Sequence, residues 1–84
     1  MQSSDSMRDL RPGESGMVHR LLLSGSMRRR LLDIGLVEGT EVECLGRSPG
    51  GDPSAYLIRG AVIAVRAEDA RKVLIERRRD GQWD

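Results

Sequence analysis

The chain holds one imidazole and one thiol, His19 and Cys44. A structural or catalytic zinc site draws on three or four protein ligands, usually at close paired spacing. One His and one Cys, each in a stretch that reads as a strand, do not supply that. The simpler reading is a small core cysteine and an ordinary strand histidine. Carboxylates at Asp33, Glu38, Glu41, Glu43 and Asp52 could hold a hard cation weakly, but their spacing is not that of an EF-hand loop. No metal or cofactor is therefore expected. A single His with no recognisable acidic partner rules out a Ser–His–acid set. Gly50-Gly51 lacks the Lys and Ser or Thr that open a P-loop helix, and reads as a hairpin loop. The sequence predicts no catalytic residue and no enzyme.

The remaining chemistry lies in arginine. Arg28, Arg29 and Arg30 form a run that could meet phosphate, nucleic acid or an acidic protein; its plain alternative is a solvated helix face. Small β-barrels that bind nucleic acid stack bases on aromatics. With Tyr56 and Trp83 as the only aromatic residues, and a net charge of +1, no nucleic-acid partner is expected. An Arg fork suits a carboxylate, which it grips through two hydrogen bonds.

At 84 residues the chain makes one small domain, burying about 60–65% of its unfolded surface. The lone cysteine excludes an intrachain disulfide and fits a reducing cytoplasm. Met1 to Asp9 is polar, unlike a signal peptide. The longest apolar runs, Leu21 to Leu23 and Ala61 to Val65, fall far below the roughly 20 residues that span a bilayer. A cytoplasmic protein is expected.

The element that must position the arginines is RRLLDIGLVEGT, Arg29 to Thr40. Met27, Leu31 and Ile34 recur at helical spacing and share one face, which leaves most of the Arg run to solvent. Gly35 suits the left-handed residue that ends a helix, with Leu36 folding back on Leu31 in a Schellman ending. Gly39 occupies the third position of Val37-Glu38-Gly39-Thr40, where a type II turn needs positive φ. Ser24 or Ser26 can cap the helix, which starts near Met27.

Around it the chain reads as short strands. Leu10 to Glu14 is a Pro-Gly turn. Gly16 to Leu23 shows no purely polar face, which suggests a strand covered on both sides. Glu41 to Arg47 places Val42, Cys44 and Gly46 on one face. Ser48 to Pro53 is a loop of breakers. Ser54 to Ile58 and Ala61 to Arg66 form a hairpin across Arg59-Gly60. A helical turn covers Arg66 to Ala70, and Lys72 to Arg77 is the last strand. The fold class expected is mainly β: a small barrel of about five strands with one short α-helix and a helical turn before the last strand. Residues 1–9 are expected as a disordered tail, 10–76 as the domain, and 77–84 as a frayed charged tail.

Three pieces resemble the FeoA family of bacterial ferrous-iron uptake: LRPGESGMV (Leu10 to Val18), RRLLDIGLVEGT, and GDPSAYLIRGAVIAVRAEDA (Gly51 to Ala70). Their order and spacing are the family's. Glu38 departs from the family's usual Pro, and Ala61 from a larger residue. The resemblance implies an SH3-like barrel and a non-enzymatic accessory role beside FeoB, the large membrane transporter of ferrous iron. It offers a second role, a metal-responsive or peptide-binding module like the terminal domain of metal-dependent repressors; a nucleic-acid-binding barrel ranks third. The helix bears an excess of Arg outside, on a domain with few other protrusions. Arg28 and Arg29 are therefore expected to help form the docking face, with Arg59 at the hairpin as a second candidate. Leu31, Ile34, Gly35, Leu36, Gly39 and Gly60 are expected to be structural.

Overall fold

A computed structural model describes residues 5–77. Six strands form one antiparallel sheet in the order β1-β6-β2-β3-β4-β5. They are β1 (Asp5–Ser6), β2 (Ser15–Leu21), β3 (Glu41–Arg47), β4 (Ser54–Ile58), β5 (Ala61–Val65) and β6 (Val73–Arg77). A nine-residue helix, α1 (Gly25–Asp33), joins β2 to β3. A single turn, α2 (Ala67–Ala70), joins β5 to β6. The sheet curls around one core that includes Val18, Leu31, Leu36, Val42, Cys44, Tyr56, Ile58, Val73 and Ile75.

Turns with glycine in place of a side chain set the corners. Glu14 donates its N–H to Arg11 O at 2.8 Å, closing a turn with Gly13 at φ 92°. The β4–β5 hairpin turns on Arg59 and Gly60, both at positive φ (49° and 85°). That matches the primed two-residue turn whose twist suits the flanking strands. Asp52, in the loop before β4, accepts the Ala67 N–H at 2.8 Å and so caps α2 from outside.

Two bulges change the phase of strands that the sequence reads as regular. In β2, Val18 pairs with Ile75 and Arg20 with Leu74, leaving His19 as the extra residue. Gly16 and Val18 face the core before the bulge, and Leu21 packs against the core after it. The mixed polarity of this strand therefore reflects a phase change rather than cover on both sides. In β3, Cys44 pairs with Tyr56 but Gly46 with Ala55, and Leu45 is extra. Gly46 thus leaves the face of Val42 and Cys44. Arg47, opposite buried Ser54, turns inward and donates to Leu10 O at 2.7 Å.

The chain ends also differ from expectation. Asp5 and Ser6 pair with Ile75 and Leu74, Met7–Asp9 forms a 3-10 turn, and Met7 is fully buried. Residues 5–9 are structured because Met7 and Leu10 supply core volume that a small domain needs. Arg77 is the last residue of β6. It pairs with Asp5 at 2.9 Å and Glu14 at 2.8 Å, and donates to Asp9 O at 2.8 Å. It staples the first segment to the last strand. Residues 1–4 and 78–84, including Trp83, lie outside the described residues.

Candidate docking surface

α1 begins two residues before Met27, after Ser24. Ser24 has the extended backbone of a cap, but its side chain makes no capping bond. Leu31 is buried, Met27 and Ile34 pack at the core margin, and Arg28, Arg29 and Arg30 are all exposed. The helix stops at Ile34. Leu36 N–H donates to Leu31 O and Gly35 N–H to Leu32 O, both at 2.9 Å, with Gly35 at φ 96°. This is the paired bonding of a Schellman ending.

The next turn is closed by Thr40 N–H on Val37 O at 3.0 Å, with Gly39 at φ 90°. Thr40, which sequence reasoning missed, links the two features. Its hydroxyl donates to Gly35 O at 2.9 Å and accepts the Val37 N–H at 3.1 Å, and the residue is 5% exposed. Val18 O accepts the Gly39 N–H, and Val18 N–H donates to Thr40 O, both at 2.8 Å. The helix stop is thereby fixed to β2 and β3.

This frame separates the arginines. Arg28 lines an open groove of about 420 Å³ with Arg20, Leu21, Leu32, Val37 and Glu38. Arg29 does not line it. Arg59 reaches from the hairpin tip across the helix stop. A Cβ at Gly35 would collide with Arg59 Cδ and come within 2.7 Å of its Nε. The guanidinium stem thus lies at the helix C-terminus, where the backbone dipole favours a cation. Arg59 also lines a second groove, of about 380 Å³, together with Glu41, Glu43 and Leu57.

Arg28 and Leu32 are four apart on α1, a spacing that signals a shared face. Arg20 carries no such signal, because its outward direction depends on the bulge at His19.

The interior offers little reactivity. Burial pushes the Cys44 thiol above its ordinary pKa, and burial likewise raises the Tyr56 phenol. His19 is exposed while Cys44 is fully buried, so the two do not converge. Among the described residues no three His, Cys, Asp or Glu side chains are grouped to hold a metal ion. The N–H of Arg11 and the guanidinium of Arg77 together hold the Glu14 carboxyl below its ordinary pKa against the opposing effect of burial. Burial draws the Arg77 guanidinium down, but Asp5 and Glu14 outweigh it and hold its pKa raised. No helix among the described residues is long and apolar enough to cross a membrane.

The fold is thus that of a small SH3-like antiparallel barrel, with its accessible chemistry on surface grooves. The FeoA domain family matches residues 6–77, and the chain belongs to that family. A fusion of Fe(2+) transport protein A with Fe(2+) transporter FeoB, from Porphyromonas gingivalis, is 30% identical over 70 residues. The match covers 83% of this chain and 8% of that protein, so the chain spans under a tenth of the relative's length. The FeoA protein of Chlorobium tepidum superposes with a TM-score of 0.84 at 26% identity, covering 93% of this chain and 74% of that one. The FeoA protein of Stenotrophomonas maltophilia superposes with a TM-score of 0.73 at 27% identity, covering 84% and 88%. That protein was solved with zinc, and is described as a prokaryotic SH3 domain protein and a candidate activating factor of ferrous iron transport.

Proposed function

We propose that this chain is a non-enzymatic, cytoplasmic accessory protein of ferrous iron uptake, which docks on a FeoB-type transporter and modulates it. The observation that carries this reading is the fused relative. There a domain 30% identical to this chain shares one polypeptide with the transporter, a tether that raises the effective concentration of each for the other. Such a fusion supports an interface between a domain of this kind and the transporter. The surface described above supports the reading. The exposed Arg28 and Arg29 lie on an element whose end is pinned by Thr40 and Gly35, so little ordering is needed on binding. Arg59, at the hairpin tip, is the second candidate.

The test is co-purification of the untagged chain with the full transporter in detergent. It is followed by ferrous iron flux in vesicles containing the transporter, with and without the chain. Complex formation and a changed flux are expected. Absence of any complex at micromolar concentration refutes the proposal.

A further inference from the structure

The groove between α1 and β2 combines an aliphatic floor with a basic rim. Leu21, Leu32 and Val37 form the apolar part, and Arg20 and Arg28 the cations; Glu38 is the one acid lining it. Val37 is 44% exposed. Neither Arg20 nor Arg28 has an ion-pair partner among the described residues. The Val37 backbone is held at the groove, its N–H donating to the Thr40 hydroxyl and its carbonyl accepting the Thr40 N–H.

We infer that this groove receives an acidic segment of the transporter with aliphatic side chains between its carboxylates. This deepens the docking proposed above and rests on it. Charge complementarity selects the occupant: two unpaired guanidinium groups call for carboxylates, and the aliphatic floor calls for Leu-, Ile- or Val-like anchors. Nucleic acid fits poorly. The groove has no aromatic on which a base could stack, and Tyr56 is fully buried. A second copy of this chain fits poorly too, since two such grooves face to face would oppose Arg20 and Arg28 with their own kind. The groove is small and open, so it seats two or three side chains of a segment rather than a folded surface.

The experiment measures binding of the full chain to the detergent-solubilised transporter at two salt concentrations. Overlapping peptides covering the transporter's cytoplasmic segments serve as second probes. The double reversal Arg20→Glu with Arg28→Glu should weaken binding by about tenfold or more and flatten its salt dependence. Val37→Ser should weaken it about threefold with the salt dependence kept. Glu38→Lys should tighten it about twofold, a gain that damage to the fold would not give. Arg66→Glu, near α2 and outside the groove, should leave it unchanged. One or more acidic peptides should bind the native chain and lose binding with the double reversal.

A transporter that binds the native chain and all groove variants equally removes the groove and leaves the docking reading standing. A transporter that does not bind the native chain removes both. If the double reversal abolishes binding to protein-free phosphatidylglycerol vesicles but spares the transporter, the groove reads a lipid headgroup and the inference falls.

Discussion

Replacing Gly35 tests how the helix stop and the hairpin tip are joined. A non-glycine residue held at φ 96° bears a strain of about 1–2 kcal/mol. A Cβ there also runs into the Arg59 side chain. Because that side chain is flexible and exposed, it would swing away, at about 0.5–1.5 kcal/mol for leaving its rotamer. The loss of unfolded-state freedom returns about 0.4–1 kcal/mol. Gly35→Ala should therefore destabilise by about 1–2.5 kcal/mol, and Gly35→Val by more, since a β-branched residue resists this region further. For a domain of this size each kcal/mol moves Tm by about 4–8 °C. Urea unfolding, in native and Arg59→Ala backgrounds, separates the two parts. Arg59→Ala should relieve the collision and leave the backbone strain, giving a coupling of about 0.5–1.5 kcal/mol. Gly35→Asn should fall between glycine and alanine, because Asn tolerates positive φ but keeps the Cβ. A neutral Gly35→Ala would refute the helix-stop account. An unchanged cost in the Arg59→Ala background would refute the packing of Arg59 over Gly35.

A Cβ at Gly16 would lie 2.5 Å from Ile75 Cδ1 and 3.1 Å from Glu76 O, so Gly16→Ala should cost about 1–3 kcal/mol. Adding Ile75→Val, which deletes Cδ1, should recover part of it, and no recovery would count against this close approach of β2 and β6. Glu14 has a depressed pKa in the fold, so its contribution is full above the ordinary value near 4.5 and is lost as pH falls through the folded value. Glu14→Gln should lower stability at pH 7 and flatten the acid limb, and identical pH profiles for the two proteins would contradict this. Cys44, buried and raised in pKa, should resist a neutral aromatic disulfide reagent at pH 8 until denaturant is added; rapid native labelling would overturn that reading. Elemental mass spectrometry of untagged protein should find no stoichiometric transition metal, and an ion lost on substituting His19 or Cys44 would reverse that expectation.

The parts of the fold legible in the sequence are those where backbone geometry restricts residue type. Gly35, Gly39 and Gly60 occupy positive φ, and each stands at an element boundary that helical or alternating spacing already marks. The hairpin is legible for the same reason, whereas the turn before β6 is legible because Arg66 to Ala70 breaks the alternation and is too polar for a strand. Other features leave no such trace. A bulge needs no special residue, so His19 and Leu45 read as ordinary strand positions although each reverses the alternation after it. Arg47 accordingly reads as surface, although its guanidinium reaches inward to Leu10 O. Met7 sits in a polar stretch whose composition suggests a tail, yet tertiary packing buries it completely. The candidate groove divides along the same line. Arg28 and Leu32 follow from helical period, and Val37 from the turn. Arg20 reaches solvent beside them because His19 takes up one extra place in β2. Removing that extra residue would leave Arg20 directly after Val18, in the same place opposite Leu74 and still on the outward face, so the groove would keep both cations. If the two unpaired cations are what selects an acidic segment, docking should therefore survive both deletion of His19 and His19→Ala, which leave Arg20 outward, and fall with Arg20→Glu; loss of docking on either His19 change, with the fold intact, would refute this placement of Arg20.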